Sequence, residues 1–149
     1  MTKKENLVLE YTIFAGIVIA FLFIIFQVKT GDIDLCRAIF KDLVNGRYGV
    51  QKYIDWGSFQ GLNINVGTTY TKFSTEKEKT GYKKAFIQSF SRGFKGAGGK
   101  FQSFINWRIY NKDYHQVVVA ADYRGHNKTL LLTLSSIGKK KLTSLQWKK

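Results

Sequence analysis

The sequence predicts an α+β fold in which an N-terminal transmembrane helix and further helices precede an antiparallel sheet. Three observations predict it. A run of 22 largely apolar residues lies near the N-terminus, aromatic residues recur at every fourth position from Tyr82 to Phe94, and the apolar period changes from helical to alternating after Gly99. We divide the chain of 149 residues into a short tail with the anchor, residues 1–30, and a basic domain, residues 31–149.

The apolar run Leu7–Val28 is the predicted membrane anchor. At about 1.5 Å per residue it spans roughly 30 Å, the thickness of a bilayer core. A cleaved signal peptide has a shorter apolar region followed by small residues, and Ile24–Lys29 offers no such cleavage site. We therefore predict a single-pass anchor in the cytoplasmic membrane, with a buried core helix as the alternative. Lysines flank both ends, and the short N-terminal tail favours a domain on the extracytoplasmic, periplasmic side.

The charge of the chain limits its partners. The net charge is +14, and residues 1–30 contribute only three lysines against two glutamates. A domain this basic is attracted to anionic lipid, phosphorylated glycan, nucleic acid or an acidic protein. The candidate contacts for an anionic surface are Lys83, Lys84, Arg92, Lys139, Lys140, Lys141, Lys148 and Lys149. A solubilising surface is the alternative role for the lysines at the C-terminus.

Two helices are predicted to follow the anchor. Asp32–Val44 places apolar residues at helical spacing, and Asn45-Gly46 supplies a stop. Cys36 lies on the apolar face and is interpreted as a core thiol. Because it is the only cysteine, an internal disulfide and a cysteine-based zinc site are excluded. A short helix is predicted over Tyr48–Trp56, and Gly57–Gly67 is predicted to be irregular.

The strongest helix signal begins at Thr75. Thr75 and Glu78 form a capping-box pattern, and a helix of about 20 residues is predicted behind it. Its aromatic ridge, Tyr82, Phe86, Phe90 and Phe94, is interpreted as a packing surface rather than a cofactor site.

The glycine-rich stretch Arg92–Phe101, RGFKGAGGKF, invites comparison with a phosphate-binding loop. That loop needs a glycine where Phe94 stands and a Ser or Thr where Phe101 stands. It also follows a strand and opens a helix, whereas here a helix pattern precedes the glycines. We therefore predict a helix C-cap and hinge, with no nucleotide bound.

Four strands are predicted beyond the hinge. Alternating apolar residues mark Phe101–Ile109, Tyr114–Tyr123, Thr129–Ser136 and Lys140–Trp147, and short polar or glycine-containing turns separate them. Consecutive strands joined by short turns form an antiparallel meander. The phenylalanine-rich helix is expected to cover its apolar face.

In the order of these elements, residues 31–147 resemble the nuclear-transport-factor-2-like, or cystatin-like, superfamily. The resemblance implies a strongly bent, cone-like sheet whose concave side is filled by helices. An N-terminal anchor before a small exported domain is similar to the bridge subunits of type IV secretion machines. The run Ser74–Phe90, STEKEKTGYKKAFIQSF, is similar to a helix of periplasmic phospholipid carriers.

Few residues offer catalytic chemistry. His115 and His126 lie on different elements without a carboxylate cluster at metal spacing. The superfamily includes enzymes that use Asp, Tyr and His inside the cone, which leaves Asp55, Tyr110, His115 and Asp122 as the candidates that the resemblance implies. We predict a protein without catalytic activity, metal or cofactor.

Three functions are compatible with these predictions. The first, which we favour, is a membrane-anchored assembly or adaptor subunit that binds other proteins of a membrane complex, because an anchor confines a small domain to the bilayer. The second is a domain that binds lipid or a small hydrophobic ligand in a pocket formed by Phe86, Phe90, Trp107 and Val118. The third is a binder of anionic polymer or of a membrane surface.

Overall fold

The computed structural model describes the backbone of residues 3–149 and the side chains of residues 11–22 and 31–149. Helix α1 comprises Lys3–Val44. Within this described part, no helix combines the length and the hydrophobicity that crossing a membrane requires. Residues 7–10 and 23–28 of the predicted anchor lie outside the described side chains. The chain divides into two compact units, Met1–Asp32 and Ile33–Lys149.

The helices of the second unit largely follow the sequence prediction. The predicted helix Asp32–Val44 belongs to the longer helix α1, and the chain leaves it through Gly46 at a φ of +67°. A 3-10 helix, Tyr48–Tyr53, forms where a short helix was predicted. Two α-helices follow, α2 at Val66–Tyr70 and α3 at Glu76–Gly96, and a second 3-10 helix covers Phe101–Ser103.

The sheet has six strands in the order β2-β1-β6-β5-β4-β3. The strands are β1 (Gln60–Gly61), β2 (Ile64–Asn65), β3 (Phe104–Lys112), β4 (Gln116–Tyr123), β5 (Lys128–Ser135) and β6 (Leu142–Trp147). The antiparallel meander from β3 to β6 is confirmed. The prediction of a purely antiparallel sheet is wrong, because β1 pairs in parallel with β6. The prediction that Gly57–Gly67 is irregular is also wrong, since β1 and β2 form a small hairpin there.

One face of the meander forms the core. Register places Val119 opposite Leu132, and Leu132 opposite Leu145, so these side chains share one face, and all three are buried. Helix α1 supplies the opposing layer with apolar residues at helical spacing: Cys36, Ile39, Phe40 and Leu43. Cys36 is fully buried, which confirms its interpretation as a core thiol.

Helix α3 has the predicted ends. The Thr75 hydroxyl accepts the backbone N–H of Glu78, while the Glu78 carboxylate accepts the backbone N–H of Thr75, so the predicted capping box is confirmed. The helix is 21 residues long. Ile87 and Ser91 are its buried residues, and the Ser91 hydroxyl donates a hydrogen bond of 2.8 Å to the carbonyl oxygen of Val44. This bond joins α3 to the C-terminal end of α1.

The glycine-rich stretch forms a helix cap, as predicted. Gly98 has a φ of +77°, and its N–H bonds to the carbonyl oxygen of Lys95 at 2.9 Å, while the N–H of Gly99 bonds to that of Phe94 at 2.9 Å. This pair of bonds is a Schellman motif, in which a left-handed residue satisfies the last carbonyls of the helix. The cap turns the chain from α3 into the sheet and leaves a gap between the two.

Candidate functional site

An apolar cavity of about 340 Å³ lies between the C-terminal half of α3 and one end of the sheet. Helix α3 and its cap supply one wall and the strands supply the other. The lining residues are Leu62, Ser89, Phe90, Gly93, Phe94, Ala97, Gly99, Phe104, Tyr123 and Trp147. Almost all of them present apolar atoms, so the cavity suits an apolar group.

The helical wall follows from a repeat of small residues beside the aromatic ridge. Ser89, Gly93 and Ala97 are spaced four residues apart, so they lie in one row along the helix. A Cβ atom added at Gly93 would meet no other atom within 4 Å. A glycine inside a helix costs roughly 0.5–1 kcal/mol relative to alanine. Gly93 therefore keeps the cavity open at a cost in helix stability.

The neighbouring row of α3 places two rings beside the cavity. Phe90 and Phe94 are half-buried, and their ring centroids lie 6.5 Å apart with nearly parallel planes. The Phe94 ring packs closely against Gly99 of the cap, because a Cβ atom added at Gly99 would lie only 2.8 Å from that ring. Its edge also contacts Phe40 of the core, with centroids 5.8 Å apart. Both rings border the cavity, and Phe94 is also held by the core.

The strand wall consists of three rings in a row. Register places Phe104 on β3 opposite Tyr123 on β4, and their rings stack with centroids 4.7 Å apart. The Trp147 ring on β6 lies 5.9 Å from that of Tyr123. Because neighbouring rings in such a row restrict one another, this wall is rigid and apolar.

The hairpin between β1 and β2 closes one side of the cavity. Its central residues, Leu62 and Asn63, have φ values of 47° and 73°. Two positive φ values in a two-residue hairpin define a type I′ turn. A left-handed conformation is costly for leucine, and the N–H of Leu62 bonds to the carbonyl oxygen of Leu145 at 2.7 Å, which holds the turn in place.

A cation lies at the rim of the cavity. Lys128 on β5 is opposite Tyr123 in the register, so its side chain is on the cavity face of the sheet. Its Nζ atom is 5.7 Å from the centroid of the Trp147 ring, a cation–π distance. The His126 ring stacks on Tyr123 with centroids 4.1 Å apart. An apolar chain in the cavity could therefore end in an acidic group beside Lys128.

Of the four residues predicted to form a pocket, Phe90 lines this cavity. Phe86 lies outside it, in contact with Trp56 and Phe59 at centroid distances of 5.7 and 5.8 Å. Trp107 also lies outside, because its ring packs against Phe40 of the core. Val118 is opposite Thr133 in the register, on the other face of the sheet from Val117 and Val119, and it is not among the residues that line this cavity.

The cavity residues that the sequence prediction missed fall into two groups. The row Ser89, Gly93 and Ala97 has a visible signal, since small residues at helical spacing beside a ridge of rings mark a groove. The row Phe104, Tyr123 and Trp147 has none, because its members come together only through strand register.

The predicted anionic-surface residues lie on three separate elements. Lys83, Lys84 and Arg92 are on α3, and the Nζ atom of Lys83 is 5.4 Å from the centroid of the Tyr70 ring. Lys139, Lys140 and Lys141 are in the turn between β5 and β6. Lys148 and Lys149 follow β6, with the Nζ of Lys148 5.0 Å from the Tyr110 ring.

The candidates for catalysis do not converge on one site. Asp122 accepts hydrogen bonds from both terminal nitrogens of Arg108, at 3.0 and 3.1 Å, and from Thr129 at 3.0 Å. The pKa of Asp122 is lowered chiefly by the Arg108 side chain, with Asn106 and Thr129 contributing, so the group is a structural carboxylate. Tyr110 is an exposed residue of β3, and His115 lies in an exposed turn. Asp55 is half-buried beside Leu142, to which its backbone N–H is bonded.

The part of the chain described by the structure contains no group of three or more His, Cys, Asp or Glu residues placed to hold a metal ion. Comparison of the chain with models of known families, with curated proteins and with solved structures finds no match.

Proposed function

We propose that this protein is a membrane-anchored binding domain whose cavity takes the apolar chain of an amphipathic acid. The observation that carries the proposal is the apolar cavity of about 340 Å³ bordered by the half-buried Phe90 and Phe94. Ligand pockets typically measure about 300–1,000 Å³ and are mostly apolar with a few polar groups. This cavity is at the lower end of that range, which suits a single chain better than a bulky molecule.

The chemistry of the lining supports an apolar ligand. Among the lining residues, the polar atoms are the hydroxyls of Ser89 and Tyr123, the N–H of the Trp147 ring and backbone groups. A ligand with several polar groups would lose hydrogen bonds to water without replacing them. An alkyl chain loses none, and each methylene that it buries contributes about 0.8 kcal/mol.

Lys128 supports an acidic head group. The ammonium group of the exposed Lys128 lies 5.7 Å from the centroid of the Trp147 ring, which lines the cavity. A charge-assisted hydrogen bond from this group to a carboxylate or phosphate oxygen is stronger than a neutral one. The overall charge of +14 attracts anions of either kind.

The predicted anchor and superfamily remain part of this proposal. An anchor at Leu7–Val28 would keep the domain beside a bilayer, and a cone-like sheet of the nuclear-transport-factor-2-like kind would place a pocket under its helix. The anchored chain should remain in the membrane pellet after carbonate washing and should retain residues 7–28. A mature chain that begins near Thr30 would contradict the anchor.

The assembly or adaptor role stays a prediction from the sequence. We rank the ligand-binding role above it because the C-terminal half of the aromatic ridge borders an apolar cavity.

The test of the proposal fills the cavity with a larger side chain on its helical wall. In Gly93→Leu, the new side chain would occupy the space between α3 and the strand wall. The matched control is Gly81→Leu, on the same helix, where an added Cβ atom also meets nothing within 4 Å but which does not line the cavity. Binding of straight-chain carboxylates to the full chain in detergent micelles is measured by displacement of a fluorescent fatty acid.

We expect two extra methylenes in the carboxylate to tighten binding by roughly tenfold until the cavity is full. Gly93→Leu should abolish this dependence, whereas Gly81→Leu should retain it. Equal binding by the two variants, or no dependence on chain length in the unsubstituted protein, would refute the proposal.

A further inference from the structure

We propose that the end of the sheet opposite the cavity docks onto an anionic lipid surface through two neighbouring hairpin turns. These turns are residues 113–115, between β3 and β4, and residues 136–141, between β5 and β6. We call them together the basic tip. The proposal does not depend on a ligand in the cavity.

The two turns are held side by side. The N–H of Ser136 donates a hydrogen bond of 2.8 Å to the carbonyl oxygen of His115. Tyr114 precedes His115 and Ile137 follows Ser136, so their side chains project from adjacent points of the tip. The tip is a defined part of the fold, because β4 and β5 pair continuously from Gln116 opposite Ser135.

Both turns expose an apolar side chain. Tyr114 is 82% exposed and Ile137 is 61% exposed. A single exposed apolar residue needs no explanation, but here two neighbouring turns each present one. Gly138, with a φ of +70°, makes the tight turn that contains Ile137.

Four lysines lie in or next to these turns in the sequence. Lys112, the last residue of β3, and Lys139 are exposed, and Lys140 and Lys141 are half-buried. The acidic residue of the tip is Asp113, whose carboxylate accepts the backbone N–H groups of His115 and Gln116 at 2.7 and 2.8 Å and so stabilises the turn. After Glu78, Asp113 and Asp122 are the only acidic residues in the sequence.

A bilayer interface suits this combination better than a polyanion does. Nucleic acid phosphates would attract the lysines but would give an exposed isoleucine no apolar environment. An anionic leaflet attracts lysines near its surface, offers apolar volume to Ile137, and accommodates tyrosine at the head-group level. The apolar residues and the lysines of the tip therefore act on the same surface.

Docking in this way would orient the domain. Phe104, Tyr123 and Trp147 lie at the strand ends remote from the tip, because β3 and β4 run antiparallel between the two ends of the sheet. The cavity mouth would then face away from the lipid surface that the tip contacts.

The experiment places an environment-sensitive fluorophore at the tip of the full chain through Ile137→Cys. The native Cys36 is fully buried, which protects it from the label. The matched control is Ile64→Cys. Ile64 has the same exposure, 61%, but it lies on the edge strand β2 and belongs to neither turn of the basic tip. The chain is transferred from detergent into phosphatidylcholine vesicles with or without phosphatidylglycerol, and the vesicles carry lipids with a shallow spin-label quencher.

We expect the label at position 137 to be quenched in vesicles that contain phosphatidylglycerol and the label at position 64 to remain unquenched. Replacing Lys139 and Lys141 with glutamine should lower the docking equilibrium constant on the order of tenfold, since each lysine near an anionic leaflet contributes to attraction. Tyr114→Ser should also lower it. Circular dichroism of each variant checks that these exposed substitutions leave the fold intact.

Three results would overturn the proposal. One is a label at position 137 that is no more quenched than the label at position 64. The second is equal quenching with and without phosphatidylglycerol. The third is shielding of position 137 that rises with protein concentration in neutral vesicles, which would assign the tip to contact with a second copy of the chain or another protein.

Discussion

The two halves of helix α3 carry the same aromatic repeat but meet different surroundings. In the N-terminal half, the Phe86 ring makes edge contacts with Trp56 and Phe59 at 5.7 and 5.8 Å. In the C-terminal half, Phe90 and Phe94 border a cavity of about 340 Å³. The spacing of four residues determines which face of the helix turns inward, but the residues opposite that face determine whether it is filled.

The difference arises from the segment between α1 and α3. Residues Trp56 and Phe59 are buried and fill the space opposite Phe86. Opposite Phe90 the chain supplies Leu62 in a tight turn, and α3 itself contributes Gly93 rather than a large side chain. We call the first region the closed half of α3 and the second the open half. We expect the closed half to contribute more to stability, and we propose that the open half offers the binding site.

The largest expected effect separates the two halves directly. Phe59→Ala, in the closed half, should lower the free energy of unfolding by about 3–5 kcal/mol, because the ring is fully buried and its removal leaves a cavity. Phe90→Ala, in the open half, should lower it by on the order of 1 kcal/mol, because a half-buried ring already contacts water. Chemical denaturation of the full chain in the same detergent measures both. Equal losses would mean that the open half is packed as tightly as the closed half.

The second prediction concerns the cap that bounds the open half. Gly99→Ala should destabilise the protein by about 1–3 kcal/mol, because the added Cβ atom would lie 2.7 Å from the carbonyl oxygen of Phe94 and 2.8 Å from its ring. The ring must move, so ligand binding should weaken as well. Gly96→Ala is the control, since nothing lies within 4 Å of the added atom. That control should be neutral or stabilising, and a loss of stability in it would show that glycine is needed there for another reason.

The third prediction concerns the cap that begins the closed half. Thr75→Ala removes the hydroxyl that accepts the Glu78 N–H, and loss of such a cap typically costs about 1 kcal/mol. Ligand affinity should not change, because Thr75 is at the opposite end of α3 from the cavity. Thermal unfolding and carboxylate binding are measured on the same sample. A change in affinity would show that the two halves are coupled.

The structural features that the sequence predicts correctly are those whose signal is local. The capping box at Thr75, the length of α3, the glycine cap and the four meander strands all depend on residues close together in the chain, and the structure confirms them. The hairpin of β1 and β2 was missed because its strands are two residues each, and because β1 gains its second partner only from β6, where Gln60 pairs with Ser144, 84 residues further on.

The candidate site was predictable only in part, because several of its residues come together through strand register and not through local spacing. Phe90 is identified by helical periodicity alone. Val118 lies in the continuous apolar run Val117–Ala121, where the sequence shows no alternation of faces, and only the register shows that it lies on the other face of the sheet from Val117 and Val119. Lys128 becomes a rim residue only because it pairs with Tyr123 across the turn.

The smallest expected effect is the acid sensitivity of the closed half. The pKa of Glu78 is lowered mainly because the Thr75 side chain hydrogen-bonds its carboxylate, at 2.8 Å, and the Thr75 backbone N–H adds a second bond. A carboxyl whose pKa is lower in the folded state stabilises the fold above its unfolded pKa, and that contribution is lost as the pH falls through the folded pKa. The window therefore lies below the ordinary glutamate pKa of about 4.3.

Glu78→Gln can still form a capping box but carries no charge. We expect the unsubstituted protein to be slightly more stable than Glu78→Gln at neutral pH and the two stabilities to converge in acid. Because Asp122 titrates in both proteins, its contribution cancels in the difference. A stability difference that stays constant from neutral to acid pH would show that the carboxylate charge contributes nothing to the start of α3.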